Sequence, residues 1–385
     1  MGGRAQNAAS HSCGALMPYT PAQRQQLRKR CELIVPGWAA LSPAEEFRQL
    51  ADWCEAQQLA HDLYGQGELV QGFEQKIAAL LGLPAAVFMP SGVMAQLAAL
   101  RIWTEAAGLP RFGMHATSHL ALHEQEAYAA LMQCHGVVLG DRLRPLLAGD
   151  LLASAQPLAC VMVELPLREA GGQLPSWDEL SALKAAARER GLRLHMDGAR
   201  LWESLPFYGR SAAEVAAGFD SVYVSVYKGI GALSGAVLAG DEAFIAQARL
   251  WRRRMGGTLY HLSPLVASAA MRFDERLAQM PAVYQRTLQL AEDLATLPGL
   301  RLIPRVPHTN MLHLYLDASA EDATLARDQL AEQSNCWLLD GLRPAEIPGW
   351  CVSELTVGGR LLQAGNERVI PMFRQLVDAL ASAAT

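Results

Sequence analysis

The chain has 385 residues, 51% of them hydrophobic, and a formal net charge of −5, so it can bury a large core and is long enough for two domains. That charge balance excludes the basic footprint of a nucleic-acid binder; the run Arg252 to Arg254 reads as a solvated helix face, with a subunit or phosphate contact as the alternative. No stretch approaches the roughly 18 unbroken apolar residues of a membrane span.

The first 20 or so residues are small and polar and read as an arm without an apolar signal core. Thr20 and Pro21 then make a cap and first helical position, and Ser42 caps a second helix after the turn at Pro36 and Gly37. A further helix is expected from about Val70 to Leu81. The segment AAVFMP is a short buried strand, and SGVMAQLAALRIW is a helix that starts immediately after it. A strand, tight turn and helix N-terminus make an anion site, because the free amides of Ser91, Gly92 and Val93 point at whatever lies above them. Next, His115, His119 and His123 follow at spacings of four with Glu124 beside them. Metal ligation from one helix face is open to them, but a zinc site needs a further ligand and an open position. Seven scattered cysteines (Cys13, Cys31, Cys54, Cys134, Cys160, Cys336 and Cys351) form no close pair, so neither a disulfide framework nor a zinc site is expected, and a reduced cytoplasm is the default.

GVVLGD, ACVMVE and LRLHMD are three further buried strands. Between the last two, SWDELSALKAAARERGL carries a serine cap, a charged face and a terminal Gly191, the signature of an amphipathic helix. Glu164 ends one strand, with Arg168 just beyond. The stretch Leu192 to Gly240 organises the chain: Leu192 to Met196 runs into Asp197, and Ser221 to Val226 runs into Lys228, with enough residues between them for a parallel crossover. An acid and an amine thus reach the carboxyl edge of one sheet, where open α/β sheets bind ligands. Lys228 is one of only four lysines; Lys29, Lys76 and Lys184 all read as surface positions on helical patterns. Pyridoxal phosphate fits this pair, since its aldehyde needs a lysine amine and its ring nitrogen a carboxylate. After about Arg272 a long helix, the strands GLRLIP, HTNMLHLYL and CWLLDG, and a closing helix VIPMFRQLVDALASAA read as a separate α+β domain.

HMDGAR with SVYKGIGALSGAVLAG resembles the threonine aldolase and β-eliminating lyase group of fold-type I pyridoxal-phosphate enzymes. DLYGQGELVQGFEQKIAALLG, FMPSGVMAQLAAL and ELPLREAGGQLP fall in the group's order. The resemblance implies an α/β large domain with a mostly parallel sheet and flanking helices and a smaller C-terminal α+β domain, here divided as 1–55 arm and helices, 56–271 and 272–385. It implies Lys228 as cofactor lysine, Asp197 at the ring nitrogen, and His119 stacked on the ring, keeping the group's spacing to Glu124, with His123 as the other candidate. Ser91, Gly92, Val93 and Ser225 then hold the phosphate, and Arg200 of DGAR also meets the cofactor; no metal is expected. Tyr64 of the Asp62-x-Tyr64-Gly65 turn belongs, in that group, to an active site that is often the neighbouring subunit's.

The implied reaction is cleavage of the Cα to Cβ bond of a β-hydroxy-α-amino acid to glycine and an aldehyde. Another pyridoxal-phosphate reaction (β-elimination, decarboxylation or transamination) and a catalytically silent binding protein are the alternatives. The partner is a small amino acid, not nucleic acid or membrane, and a homodimer or homotetramer is expected. Departures from the group are also visible. CELIVPGWAALSP replaces its Ser-Asp-Thr motif, Val93 its threonine, and Tyr260 and His261 its arginine and glutamine after the double glycine. Glu354 falls where its carboxylate-binding arginine belongs, which leaves Arg200 or Arg360 for that role.

Overall fold

The computed structural model describes residues 19–383, so the expected N-terminal arm and Cys13 lie outside the described residues. A seven-stranded sheet forms the centre. In spatial order its strands are Ala85–Met89, Ala236–Gly240, Ser221–Ser225, Arg193–Gly198, Cys160–Glu164, Arg111–His115 and His135–Leu139. The last five pair in parallel, and Ala236–Gly240 runs antiparallel to both its neighbours. Parallel strands buried on both faces need apolar side chains in both phases of the pleat. Accordingly, Val161, Val163, Leu194, Met196, Val222 and Val224 build the core on one face. Their alternating neighbours Cys160, Met162 and Tyr223, with Phe112, Met114 and Leu238, build the core on the other.

The helices begin where caps were legible. Thr20 accepts a bond from the Gln23 amide ahead of Pro21–Arg30, Ser42 caps Pro43–Ala56, and Ser176 caps Trp177–Glu189, each with a reciprocal capping box. The helix expected from Val70 is Glu68–Leu81, and the one after Ser91 is Gly92–Ala107. The long helix expected from Arg272 starts nine residues earlier, as Ser263–Leu294. The reason is tertiary: buried Asp62 accepts bonds from the amides of Leu262 and Ser263 at 2.7 and 2.6 Å, and from Gly65 at 2.7 Å. A carboxylate from a distant turn thus supplies the cap that the local sequence lacks.

That helix touches two cores. Val266, Ala269, Phe273 and Met280 pack under the large sheet, whereas Val283, Leu290 and Leu294 pack with Leu300, Leu312, Leu314 and Phe373 around a four-stranded antiparallel sheet. The latter sheet contains Leu300–Ile303, Met311–Leu316, Leu342–Pro344 and Cys351–Thr356. The CWLLDG strand does not join it; Cys336–Trp337 instead pairs in parallel with Leu33–Ile34 from the N-terminal segment. RFGMH, not among the expected strands, is Arg111–His115 and sits inside the large sheet, because burial there outweighs its weak strand propensity.

Two surface expectations are corrected. Lys184 is buried: its ammonium donates to the Val215 carbonyl at 2.9 Å and lies 5.0 to 5.4 Å from the Phe219 and Trp177 rings. Arg252 is only 4% exposed and donates to the Phe88 carbonyl at 2.9 Å, so it anchors its helix to the sheet while Arg253 and Arg254 face solvent. Among the described residues no helix is long and apolar enough to cross a membrane, and the six cysteines from Cys31 to Cys351 are free.

Asp62→Ala would leave three buried backbone amides without an acceptor. The variant is expected to lose about 3 kcal/mol of unfolding free energy in urea titration, while Asp274→Ala, which removes an exposed partner of Lys76, changes it by about 0.5 kcal/mol or less.

Candidate active site

Parallel pairing aligns Asp197 with Tyr223 on adjacent strands, and the chain leaves the second strand at Ser225 for a glycine-rich turn that carries Lys228. Both groups line one cavity of about 180 Å³, together with Ser91, Gly92, Val93, Gln96, His119, Glu124, Ala199, Tyr223, Tyr227, Leu233 and Ser234. The cavity sits beyond the carboxyl ends of the parallel strands. Burial pushes the Lys228 ammonium below its ordinary value, with Asp197 pulling the other way. Burial likewise pushes the Asp197 carboxyl up, and Lys228 opposes that shift. The Ala199 amide donates to Asp197 at 3.1 Å.

At the opposite wall, Ser91 caps Gly92–Ala107 by accepting from the Met94 amide at 3.3 Å. This leaves the amides of Gly92 and Val93 without intrahelical acceptors, at the positive end of a 16-residue helix. A side chain at position 92 would overlap the Tyr223 hydroxyl, so glycine lets this turn close onto the strand. Ser234 adds a hydroxyl, oriented by its bond to the Pro90 carbonyl at 2.7 Å. None of the residues lining this cavity is an arginine. An anion placed here would meet backbone amides, hydroxyls and the lysine, in keeping with the absent Thr and Arg noted in the sequence.

The histidines separate. His115 ends a strand and is buried against the carbonyls of Asp141 and Arg144. His119 lines the cavity and its Nδ1 lies 2.9 Å from the Glu124 carboxylate. His123 points out of it, 2.8 Å from Glu169. The three therefore share no helix face. The hydrogen bond to Glu124 raises the His119 imidazole above its ordinary value, against the effect of burial. Glu164 accepts from the amides of His119 and Arg168 at 2.9 and 3.2 Å and so pins the His119 loop to the sheet. Burial, and then Asp197, push its carboxyl up to about 7.

Other candidates lie outside the cavity. The Ser225 hydroxyl accepts from the amides of Tyr227 and Lys228 at 3.3 Å, and so shapes the lysine turn. Arg200 stands 3.7 Å from buried Glu203 and does not line the cavity. Tyr64 is 55% exposed and packs edge-on against Tyr260, away from the cavity of its own chain. Glu354, which falls where the group's carboxylate-binding arginine is expected, accepts from the Arg168 guanidinium at 2.8 Å.

Lys228 also borders a second space of about 550 Å³ with Trp38, Ala40, Leu41, Arg272 and Arg276. Trp38 and Ala40 in turn border a third of about 650 Å³ with His123, Arg168, Arg343 and Glu354. The segment that replaces the group's Ser-Asp-Thr motif thus forms a wall beside the lysine. Sequence reasoning missed Gln96, Tyr227 and Ser234. Gln96 was the most findable, as a lone amide in the apolar run VMAQLAAL one turn into the anion-site helix.

The residues fit pyridoxal phosphate: a helix N-terminus for an anion, an amine, a buried carboxylate and an imidazole converge on a space of ring size. A family model described as beta-eliminating lyase matches residues 43–319. A low-specificity L-threonine aldolase of Arabidopsis thaliana is 26% identical over 284 residues, covering 70% of this chain and 78% of the plant protein. A Listeria monocytogenes structure assigned as an L-allo-threonine aldolase shares 36% identity at a TM-score of 0.87, covering 92% of this chain and 98% of its own. A serine palmitoyltransferase of Sphingomonas wittichii, at 15% identity and a TM-score of 0.67 over 91% of this chain and 88% of its own, shares the fold alone.

By NMR pH titration, His119 is expected to lose its proton above the ordinary imidazole value of 6.5. Glu124→Gln is expected to bring that midpoint down, because the neutral amide holds the imidazolium less well than the carboxylate does.

Proposed function

The chain belongs to the beta-eliminating lyase family, and from that premise we propose that it is a pyridoxal-phosphate-dependent aldehyde-lyase, cleaving the Cα to Cβ bond of a β-hydroxy-α-amino acid to glycine and an aldehyde. Its architecture is that of fold-type I pyridoxal-phosphate enzymes, an α/β domain with a mostly parallel sheet and flanking helices beside a smaller α+β unit. The observation that carries the proposal is the meeting of Lys228, Asp197, His119 and the Gly92 helix N-terminus in one cavity. The names of the threonine aldolases among its relatives supply the reaction class.

When bound, pyridoxal phosphate supplies an aldehyde for amines and a protonated ring that draws electrons from Cα. Lys228, its ammonium made easier to deprotonate by burial, would offer the amine that holds this group. Asp197 would receive the ring N–H, and the Gly92 and Val93 amides with Ser91 and Ser234 would receive the phosphate. Ser225 contributes by fixing the turn that aims Lys228. His119, steadied by Glu124, would border the ring and, in its neutral form, could accept the substrate's β-hydroxyl proton. Arg200 does not line the cavity, but its charge acts on Lys228 and Tyr227, and we assign it a contact with cofactor or substrate.

We place the domain limits at 1–55, 56–271 and 272–385; the two sheets have separate cores, and the helix Ser263–Leu294 crosses the second limit, with Phe273 and Met280 still under the large sheet. A cytoplasmic homodimer or homotetramer completes the proposal; exposed Leu63, Tyr64, Leu259 and Tyr260 are apolar side chains that a second subunit could cover.

The purified protein is expected to carry a yellow colour that survives dialysis and disappears in Lys228→Ala; a colourless wild type would overturn the cofactor assignment. Threonine or phenylserine should release aldehyde, and Asp197→Ala should lower that rate by at least about a hundredfold. A coloured protein that turns over neither substrate would refute the aldol reading while sparing the cofactor.

A further inference from the structure

Beside Asp197 a chain of polar side chains starts at Gln96, which shares the cavity wall, and runs inward through groups that the reaction itself does not use. Gln96 Nε2 donates to Asp197 Oδ2. Gln96 Oε1 lies 2.7 Å from His195 Nε2, His195 Nδ1 lies 2.8 Å from the Ser221 hydroxyl, and Trp103 Nε1 donates to that hydroxyl at 2.8 Å. All of these groups are buried: Gln96 is 1% exposed, and His195 and Ser221 are 0% exposed. They sit on three elements, the Gly92–Ala107 helix and the strands Arg193–Gly198 and Ser221–Ser225.

The direction of the protons along this chain is set by its ends. An indole N–H can only donate, so the Ser221 oxygen is an acceptor at the far end. Its own proton then has His195 Nδ1 as its acceptor. A neutral histidine that accepts at Nδ1 must donate at Nε2, so Gln96 presents its oxygen to His195 and its amide protons to Asp197. Reversing the order would leave the Ser221 proton without an acceptor in a dry interior and would require a proton on Asp197. Burial pushes the His195 imidazole down to about 3, which keeps it in the neutral form this order needs.

We propose that Trp103, Ser221, His195 and Gln96 form a one-way hydrogen-bond relay that holds Asp197 as an ionised, accept-only carboxylate facing the cofactor's ring nitrogen. These four are positioning residues, acting through Asp197. Burial by itself favours the protonated acid, and the surroundings are mixed in sign. Lys228, His119 and Glu124 share its cavity, Glu164 is its partner on the next strand, and Tyr223 and Tyr227 lie beside it. Each relay member passes a donor toward Asp197, and a donor to the charged form offsets desolvation. The inference rests on the cofactor reading above.

The test resolves the bound cofactor from the full-length protein and reloads it with either pyridoxal phosphate or its deaza analogue, in which carbon replaces the ring nitrogen. Gln96→Met keeps the volume and removes the donor. It is expected to weaken pyridoxal phosphate binding by about tenfold while leaving the deaza analogue within about twofold of wild type. Ser221→Ala, which breaks the relay two members further back, should shift the same preference in the same direction by about threefold, and carries the test if Gln96→Met fails to fold. Equal losses on both ligands, or no loss on either, would overturn the relay. A wild type that binds the two ligands equally would refute the Asp197 contact beneath it, and a wild type that binds neither would refute the cofactor reading.

Discussion

Everything at this site depends on two parallel strands, Arg193–Gly198 and Ser221–Ser225, being held side by side in full burial. Their register pairs Asp197 with Tyr223, which fixes how far the lysine turn can stand from the acid. Parallel strands cannot be joined by a tight hairpin. The connection therefore runs outward through the helices Leu201–Tyr208 and Ala212–Ala216, and Trp202 returns an indole donor to the Ser225 carbonyl at 3.2 Å. The crossover that the pairing demands is thus bonded to the edge where the amine emerges.

The cost of that arrangement is electrostatic. Asp197 and Glu203 are buried and Glu164 and Lys228 half-buried near one another, and desolvation shifts each toward its neutral form. Mutual attraction offsets this in part for Asp197 and Lys228. Glu164 is steadied differently, by two backbone amides, so it serves as scaffold for the His119 loop. A carboxylate in such a place earns its position by what it orders, since a buried charge gives little net stability.

Much of this was legible before any coordinates, for identifiable reasons. The Asp197 and Lys228 strands announce themselves because buried parallel strands are continuous apolar runs, and a charge at the end of such a run stands out. Helix starts at Thr20, Ser42 and Ser176 were readable because capping is local. What could not be read was the cap supplied from far away, Asp62 on Ser263, and the burial of Lys184 and Arg252, whose acceptors are carbonyls of remote elements. RFGMH was opaque because only its neighbours make it a strand. Gln96 was visible as an oddity, but nothing in the sequence says that His195 and Ser221 stand in line behind it.

The Glu354 substitution shows how structure changes the meaning of a sequence departure. Taken alone, a glutamate in place of an arginine would repel an incoming carboxylate. In the structure the wall of the third space, joined to the lysine's side through Trp38 and Ala40, is paired in advance: Arg168 with Glu354 at 2.8 Å, Arg28 with Asp340 at 2.8 Å, and Arg343 with Glu169 at 3.7 Å. Such a wall presents neither a bare anion nor a free cation. A carboxylate entering it finds Arg168 about one-third exposed, with its Nε committed to Glu354 and part of the guanidinium still open. Recognition there would proceed by sharing or exchanging partners, and shared hydrogen bonds at a half-solvated surface are worth less than an unshared bidentate grip.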